Sequence, residues 1–145
     1  MKNIFKNIET FLSRFQDGAL LILRLVLAYG FLIPAVNKLQ GFNAVVTWFD
    51  QSLHIPFPWL NAVLATGTEV AGVILLTLGL FTRLISIPLS VIMIVAIITV
   101  HGFSQFAAAE NGFEIPLYYL VMLFVLMSTG TGEYSLDKVF SKKYP

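Results

Sequence analysis

The chain has 145 residues, of which 57% are hydrophobic and only 12% are charged, and its formal net charge is +1. Soluble domains carry about 25% charged residues, so the composition indicates a membrane protein. The small net charge argues against a nucleic-acid partner, because phosphate binding needs a basic face. The chain has no cysteine, which excludes disulfides, Fe–S ligation and a Cys-x-x-Cys redox centre carried by this chain.

Residues 1–17 form an amphipathic segment. Its apolar residues recur at helical spacing, with charged residues between them; they are Ile4, Phe5, Ile8, Phe11, Leu12 and Phe15. The pattern predicts a helix that lies in the cytoplasmic headgroup region, with lipid as its partner. A helix packed against the end of the bundle is the alternative.

Four apolar segments follow, and each is predicted to cross the membrane as a helix. They run from about Ala19 to Val36, Trp59 to Leu80, Leu84 to Val100 and Ile115 to Ser128. Pro34 is expected to bend or end the outer part of the first span, and a short interfacial helix is expected around Asn43 to Leu53. The predicted fold is all-α: a polytopic membrane four-helix bundle in residues 18–136, preceded by the amphipathic helix and followed by a cytoplasmic tail, 137–145.

The basic residues near the span ends predict the orientation of this bundle. Lys38 alone falls on one side, and seven basic residues fall on the other: Lys2, Lys6, Arg14, Arg83, Lys138, Lys142 and Lys143. Cytoplasmic loops carry the excess of Lys and Arg. Both termini are therefore predicted to be cytoplasmic, and the two longer connections face outward.

Two ionisable residues, Arg24 and Glu69, lie inside the apolar spans. A charge at the centre of a membrane helix costs roughly 2.5–3.5 kcal/mol on insertion scales. At 1.5 Å per residue, Arg24 lies about 8 Å from one face and Glu69 about 16 Å from the other, which leaves an axial gap of about 6 Å. We predict a contact between them. It would be either a buried pair that fixes helix register or a proton-relay or substrate site; in a third case Arg24 snorkels to the headgroups and Glu69 is protonated.

The residues around Glu69 are small: Ala65, Thr66, Gly67, Thr68, Ala71 and Gly72. Small residues let membrane helices approach closely, and they could also leave room for a flat ligand. Both interpretations stay open.

A second polar group is predicted at the outer ends of the spans. It consists of Lys38, His101, Asn111 and Glu114. Snorkelling, helix capping and the helix dipole explain these residues individually, yet together they could hold a quinone headgroup or an exported substrate. His54 and His101 do not make a convincing haem site, and the acidic and His spacings match no recognised metal motif.

The order and spacing of these motifs resemble the DoxX family of small bacterial membrane proteins. The resemblance covers roughly Ala19 to Leu136. It is carried by LILRLVLAYGFL, AVNKLQGF, TGTEVAGVILLTLGLFTR, the His-Gly pair after the third span, NGFEIPLYYLVML and the segment from Gly130 to Asp137. The LGL-x-TR turn between spans two and three is the most distinctive piece.

The resemblance implies a bundle of about four spans in the bacterial cytoplasmic membrane and a link to redox functions. Members look like subunits or relatives of a thiosulfate:quinone oxidoreductase, or of complexes that handle oxidative and thiol stress. The NGFEIPLYY stretch is similar to a subgroup encoded beside metal-responsive peptide-modification systems. Mapped by motif, the family's polar positions fall here on Arg24, Lys38, Glu69, His101 and Glu114.

Three functions follow from these observations. The first is a membrane component of a redox or stress-response system with an outward quinone site; as an enzyme it would be an oxidoreductase subunit, because it has no redox centre of its own. The second is a non-enzymatic anchor or accessory protein for a soluble or secreted partner, bound through a patch near Trp48 and Phe49. The third is a small transporter with Arg24 and Glu69 as a coupling site, which would need to oligomerise to form a pathway.

Overall fold

The computed structural model describes residues 11–143, which are helical apart from short connections and contain no strand. The longer helices are α1 (Gln16–Gln40), α2 (Phe42–Gln51), α3 (Pro58–Leu78), α4 (Thr82–Ala96), α5 (Glu114–Thr129) and α6 (Leu136–Lys143). A π-helical turn, Ile97–His101, extends α4, and a 3₁₀ turn, Ala108–Glu110, precedes α5. Residues 1–10, which hold most of the predicted amphipathic segment, lie outside the described residues.

Three of the described helices are long and apolar enough to cross a membrane. They are the helical runs Phe11–Gln40, Pro58–Leu78 and Thr82–His101. Helix α5 is apolar but has only 16 residues, which is about 24 Å of helix against a hydrocarbon core of about 30 Å. The structure is therefore a polytopic helical membrane bundle with three long apolar helices and one shorter one.

The helices pack through a core of aliphatic and aromatic side chains. Helix α1 packs mainly against α3, and α4 packs against α5 and α3. The fully buried members of the core include Leu27, Leu76, Leu89, Leu123 and Leu126. Most large apolar side chains on the outer faces are exposed, as expected for helices whose other solvent is lipid.

The bundle has two distinct ends. We call the end that holds Asp17, the α3–α4 turn and the segment 130–137 the terminal end. There the Glu133 N–H donates to Asp17 Oδ1 (2.9 Å), and the Asp137 N–H donates to the Gly79 carbonyl (3.1 Å). The opposite end, which holds the connections 41–57 and 102–113, is the loop end.

The α3–α4 turn shows why this chain reverses so tightly. Gly79 has φ +66°, and the Leu80 N–H donates to the Leu75 carbonyl (2.9 Å), which is the bond that closes a Schellman motif. The Phe81 N–H donates to Asp137 Oδ1 (3.0 Å). The distinctive LGL-x-TR segment is thus a helix stop followed directly by a helix start, and the C-terminal segment covers it.

The structure bears on two predictions, one for the first span and one for the connection that follows it. Pro34 does not end the helix, because α1 continues to Gln40; proline removes one backbone hydrogen bond, and neighbouring helices in a bundle tolerate that loss. The short helix expected at Asn43 to Leu53 is confirmed as α2.

The apolar side chains of residues 11–15, at the described end of the amphipathic segment, are exposed. Phe11, Leu12 and Phe15 are 58–60% exposed, and the Phe11 and Phe15 rings contact each other edge to face at 5.3 Å. The bundle-packed alternative therefore finds no support in residues 11–15.

Candidate functional site

A cavity of 670 Å³ lies between the helices toward the loop end. All of α1 to α4, the π-helical turn and the start of α5 contribute to its wall. The wall is mostly apolar, with residues such as Phe31, Phe49, Leu64, Ile92 and Ile115. Ligand pockets have this character, with a few placed polar groups in an apolar wall and volumes of about 300–1,000 Å³.

An ion pair between Lys38 and Glu69 forms the polar centre of the cavity. Lys38 Nζ lies 2.5 Å from Glu69 Oε1. The Glu69 side chain is 2% exposed and that of Lys38 is 19% exposed. Glu69 Oε2 is buried and has no hydrogen-bond partner among the residues that the structure describes. One carboxylate oxygen is therefore bound by Lys38, and the other is enclosed without a hydrogen-bond partner among the described residues.

The predicted contact between Arg24 and Glu69 is wrong, because Lys38 occupies that place. Side chains on a helix tilt toward its N-terminus, and α1 runs from the terminal end to the loop end. Lys38 therefore tilts back into the bundle toward Glu69, whereas Arg24 tilts away from it. The predicted axial gap of about 6 Å joined positions on the helix axes and did not include the direction in which the side chains leave the helix.

Arg24 instead sits at the terminal end and is completely buried. Its Nη2 donates to the Tyr134 carbonyl at 2.5 Å. Gly79 leaves the space that the guanidinium fills, since a Cβ there would collide with Arg24 Nη1. Arg24 therefore also does not snorkel to the headgroups; it holds the C-terminal segment against the end of α3.

The predicted outer polar group is divided by the structure. Lys38 and His101 both line the cavity, whereas Asn111 and Glu114 lie outside its lining. His101 Nδ1 lies 2.9 Å from the Asn111 carbonyl. Glu114 accepts from the Ala108 N–H and from the Tyr118 hydroxyl, each at 2.9 Å. Asn111 and Glu114 therefore shape the connection that positions His101.

The small residues around Glu69 have two different roles. Gly72 lets α4 approach, because a Cβ there would lie 2.9 Å from the Leu89 methyl groups. Ala65 and Thr68 line the cavity instead. Close packing and open space, which the sequence left as alternatives, are found at different depths along one face of the same helix.

The sequence analysis did not name Asn61 and Tyr119, which line the cavity, and it named Trp48 only as part of a partner-binding patch. Tyr119 lies against Gly30, where a Cβ would collide with its hydroxyl, and its ring packs edge to face on Phe31 at 5.4 Å. A glycine inside a helical run often marks such a close approach. Gly30 therefore indicated a close contact at this point of the sequence, although it did not show that Tyr119 makes the contact.

The terminal end carries a separate cavity of 410 Å³ with a different character. Charged residues of both signs line it, including Asp17, Arg83 and Lys138. Lys138 Nζ lies 2.7 Å from Glu133 Oε1, and this hydrogen bond raises the pKa of Lys138 above its usual value. Both partners of the pair are more than 40% exposed, so the pair is accessible to water.

No metal centre was predicted. Within residues 11–141, no group of three or more His, Cys, Asp or Glu side chains is placed to hold a metal ion.

The fold and the cavity together define a small polytopic helical membrane protein with an ion pair inside an apolar cavity. The chain belongs to the DoxX family, whose sequence model matches residues 19–102, more than half of the chain. This match confirms the resemblance.

Relatives at about one-third identity cover most of the chain. An uncharacterized protein of Haemophilus influenzae is 34% identical over 134 residues, which are 88% of this chain and 86% of that protein. A second uncharacterized Haemophilus influenzae protein is 32% identical over 135 residues, 91% of this chain and 98% of that protein. The Escherichia coli protein named inner membrane protein YphA is 34% identical over 128 residues, 82% of this chain and 88% of that protein. No solved structure matches the chain.

Proposed function

We propose that the protein is an inner-membrane component of a redox or stress-response system and binds a quinone-class molecule in the loop-end cavity. The observation that carries the proposal is the buried Lys38–Glu69 pair in an apolar cavity of 670 Å³. A buried ion pair costs desolvation energy that membrane proteins usually tolerate for packing or function. Here the pair borders open space rather than a packed core.

The fit of a quinone-class ring to this cavity rests on shape and polarity. The apolar wall accommodates a ring and the first part of an isoprenoid tail. Lys38 has donors beyond the one directed at Glu69, because an ammonium carries three N–H groups. A bound quinone supplies two-electron, two-proton chemistry, while this chain, having no cysteine, would receive electrons from a partner protein in the membrane.

The two tryptophans of the chain permit a direct binding measurement. Trp48 lines the cavity and Trp59 does not. In lipid nanodiscs, W59F protein keeps Trp48 as its only tryptophan, and a short-chain benzoquinone should quench its fluorescence saturably. K38M should weaken binding about tenfold or more, because it removes the charged donor to a quinone carbonyl, and E69Q should weaken binding because Lys38 loses the carboxylate that positions it.

The matched control is E110Q, the same change at an exposed loop-end position outside the cavity lining. It should bind like the parent. Quenching that rises linearly without saturation, or affinity unchanged in both K38M and E69Q, contradicts the proposal.

The proposal includes four spans with both termini in the cytoplasm. Supporting it are the excess of basic residues on the terminal side and the relative named as an inner membrane protein. Because the chain has no native cysteine, S104C and S141C variants can be labelled singly with a membrane-impermeant maleimide. S104C should react in spheroplasts and S141C only after lysis; equal reactivity of the two in spheroplasts contradicts this topology.

Neither alternative function gains an observation from the structure. The accessory-protein hypothesis relied on a surface patch near Trp48 and Phe49; Trp48 is 40% exposed and Phe49 only 8%, and both line the cavity. The transporter hypothesis relied on Arg24 and Glu69 as one coupling site, and these residues bind separate partners.

A further inference from the structure

We infer that the loop-end cavity opens sideways into the lipid between α3 and α4, and that its ligand is a lipid quinone whose tail passes through this opening. The inference rests on the proposed quinone-class site and specifies the kind of molecule that the site takes. It follows from where the lining residues lie around the two helices and from how exposed they are.

On α3 the cavity lining extends from the core to the outer surface of the bundle. Glu69 and Leu64 both line the cavity, but Glu69 is 2% exposed and Leu64 is 57% exposed. With 3.6 residues per turn, Leu64 is rotated about 140° around the helix from Glu69. Two residues lie between these directions: Thr68, which also lines the cavity, and Gly72, against which Leu89 of α4 packs. The lining therefore crosses the side of α3 that faces α4.

On α4 the lining follows the same course. Ile92 lines the cavity and packs against the core, whereas the lining residues Val95 and Val91 are 41% and 54% exposed. Val91 is rotated about 100° around the helix from Ile92, and Val95 lies between the two directions. The helices are in contact at Gly72 and Leu89, and the cavity lies between them on the loop-end side of this contact. Exposed lining residues thus bound a gap between two neighbouring helices.

The gap opens at the depth of the hydrocarbon core. We call its four rim residues, Leu64, Thr68, Val91 and Val95, the portal. At 1.5 Å per residue, Leu64 and Thr68 lie about 9 and 15 Å along α3 from Pro58. Both helices have the length and composition of a membrane span. The portal therefore opens into lipid hydrocarbon rather than into water.

The α1 wall of the cavity is closed by contrast. Phe31 lines it and is 1% exposed, and Tyr119 of α5 fills the space beside Gly30. A ring bound beside Lys38 can therefore direct its tail through the portal. The tail then stays in hydrocarbon, so its length is not limited by the 670 Å³ of the cavity. A tail held in a closed cavity of this volume would have to fit inside it.

The experiment compares three benzoquinones that share a 2,3-dimethoxy-5-methyl ring and differ in the group at the next ring position. That group is a methyl, a decyl chain or a long polyprenyl chain. Each is titrated in W59F nanodiscs, the polyprenyl quinone being added as the discs form, and the quenching of Trp48 reports binding. Affinities are expressed per lipid-dissolved ligand, which removes differences in membrane partition.

A pair of variants in the W59F background tests the route of the tail. V91F/V95F fills the portal with larger side chains. I87F/I94F is the matched control, because Ile87 and Ile94 are exposed residues of the same helix that lie outside the cavity lining.

We expect the decyl and polyprenyl quinones to bind at least as tightly as the methyl quinone, because the tail remains in hydrocarbon in the free and the bound state. V91F/V95F should weaken binding of the two tailed quinones about tenfold or more, since it overfills the gap through which the tail passes. It should weaken binding of the methyl quinone less. I87F/I94F should leave all three affinities unchanged.

The outcomes separate this inference from the proposed function. A tenfold loss of affinity from the methyl to the polyprenyl quinone means that the tail has no passage, or that a phospholipid chain already fills the gap; either overturns the inference while the ring site remains. Equal effects of V91F/V95F and I87F/I94F on the tailed quinones also overturn it. Without saturable quenching by any of the three, the inference and the proposed site both fail. The tail series on W59F protein decides the question even where V91F/V95F does not fold.

Discussion

Arg24 and Glu69 are both ionisable residues buried in apolar helices, and the structure surrounds them in different ways. Arg24 is enclosed at the terminal end, where it donates to the Tyr134 carbonyl and fills the space beside Gly79. Glu69 pairs with a side chain, Lys38, and borders a cavity of 670 Å³. One charge closes a packed junction, and the other lies beside open space.

The comparison separates a structural charge from a candidate functional one. Burial alone does not distinguish them, since Arg24 is 0% and Glu69 2% exposed. The surroundings do: a charge that fixes a chain segment is expected to govern stability, whereas a charge beside a cavity is expected to govern stability and ligand binding together.

Removing Lys38 should cause the largest loss of stability. K38M leaves the Glu69 carboxylate buried without its cation, which typically costs about 3–5 kcal/mol. The double variant K38M/E69L should recover most of this loss, because it removes the second charge as well. Thermal unfolding in a mild detergent measures both.

The same cycle tests the pairing. K38M and E69L should be coupled by at least about 2 kcal/mol, because the double variant recovers most of the loss, whereas R24M and E69L should be additive within about 0.5 kcal/mol. Strong coupling between Arg24 and Glu69 would restore the pairing that the structure replaces.

Removing Arg24 should lower stability by about 2–3 kcal/mol, because the Tyr134 carbonyl loses a charged donor in a buried place. The matched variant is R83M. Arg83 likewise donates to backbone carbonyls, those of Ser128 and Thr129, each at 3.2 Å. Because Arg83 is exposed, water can replace these hydrogen bonds, and the loss of stability should be smaller.

The comparison also predicts what Arg24 does not affect. Quinone affinity of R24M, measured with Trp48 at a temperature where the variant is folded, should equal that of the parent. A tenfold weakening of binding in R24M would show that the two ends are coupled.

G30A should destabilise the cavity wall by about 1–3 kcal/mol, because its Cβ collides with the Tyr119 hydroxyl. G67A is the matched control: a Cβ at Gly67 meets nothing within 4 Å, and alanine favours a helix interior over glycine by about 0.5–1 kcal/mol. Unfolding midpoints should therefore move in opposite directions. Y119L should rescue G30A, and absence of rescue would place the strain elsewhere.

The smallest effect is expected for the exposed pair of Lys138 and Glu133. Its hydrogen bond raises the pKa of Lys138 in the folded protein. The pair therefore contributes fully to folding stability at a pH below the unfolded-state pKa of about 10.4. This contribution is lost as the pH rises through the folded-state pKa. K138M and parent should therefore differ slightly in melting temperature at about pH 8 and converge well above pH 10.4. A difference that grows at high pH would contradict this assignment.

Much of the fold was predictable, because hydropathy and helix signals act locally. Helix α2 and the ends of α3 and α5 follow from proline, glycine and apolar periodicity, and they lie within two residues of the predicted bounds. The site was predictable only in part. Lys38, Glu69 and His101, which the sequence offered as candidates, all line one cavity, but the sequence analysis placed Lys38 and Glu69 in different groups.

What the sequence by itself determined is the membrane location, the approximate spans and the identity of the unusual charged residues, because burying or exposing a residue type in lipid has a cost that does not depend on its neighbours. What only the tertiary structure decided is the partner of each charge. That depends on the direction in which a side chain leaves its helix and on how far two antiparallel helices are offset. Because of this direction and this offset, the Lys38 side chain lies in the cavity and the Arg24 side chain lies at the opposite end of the bundle.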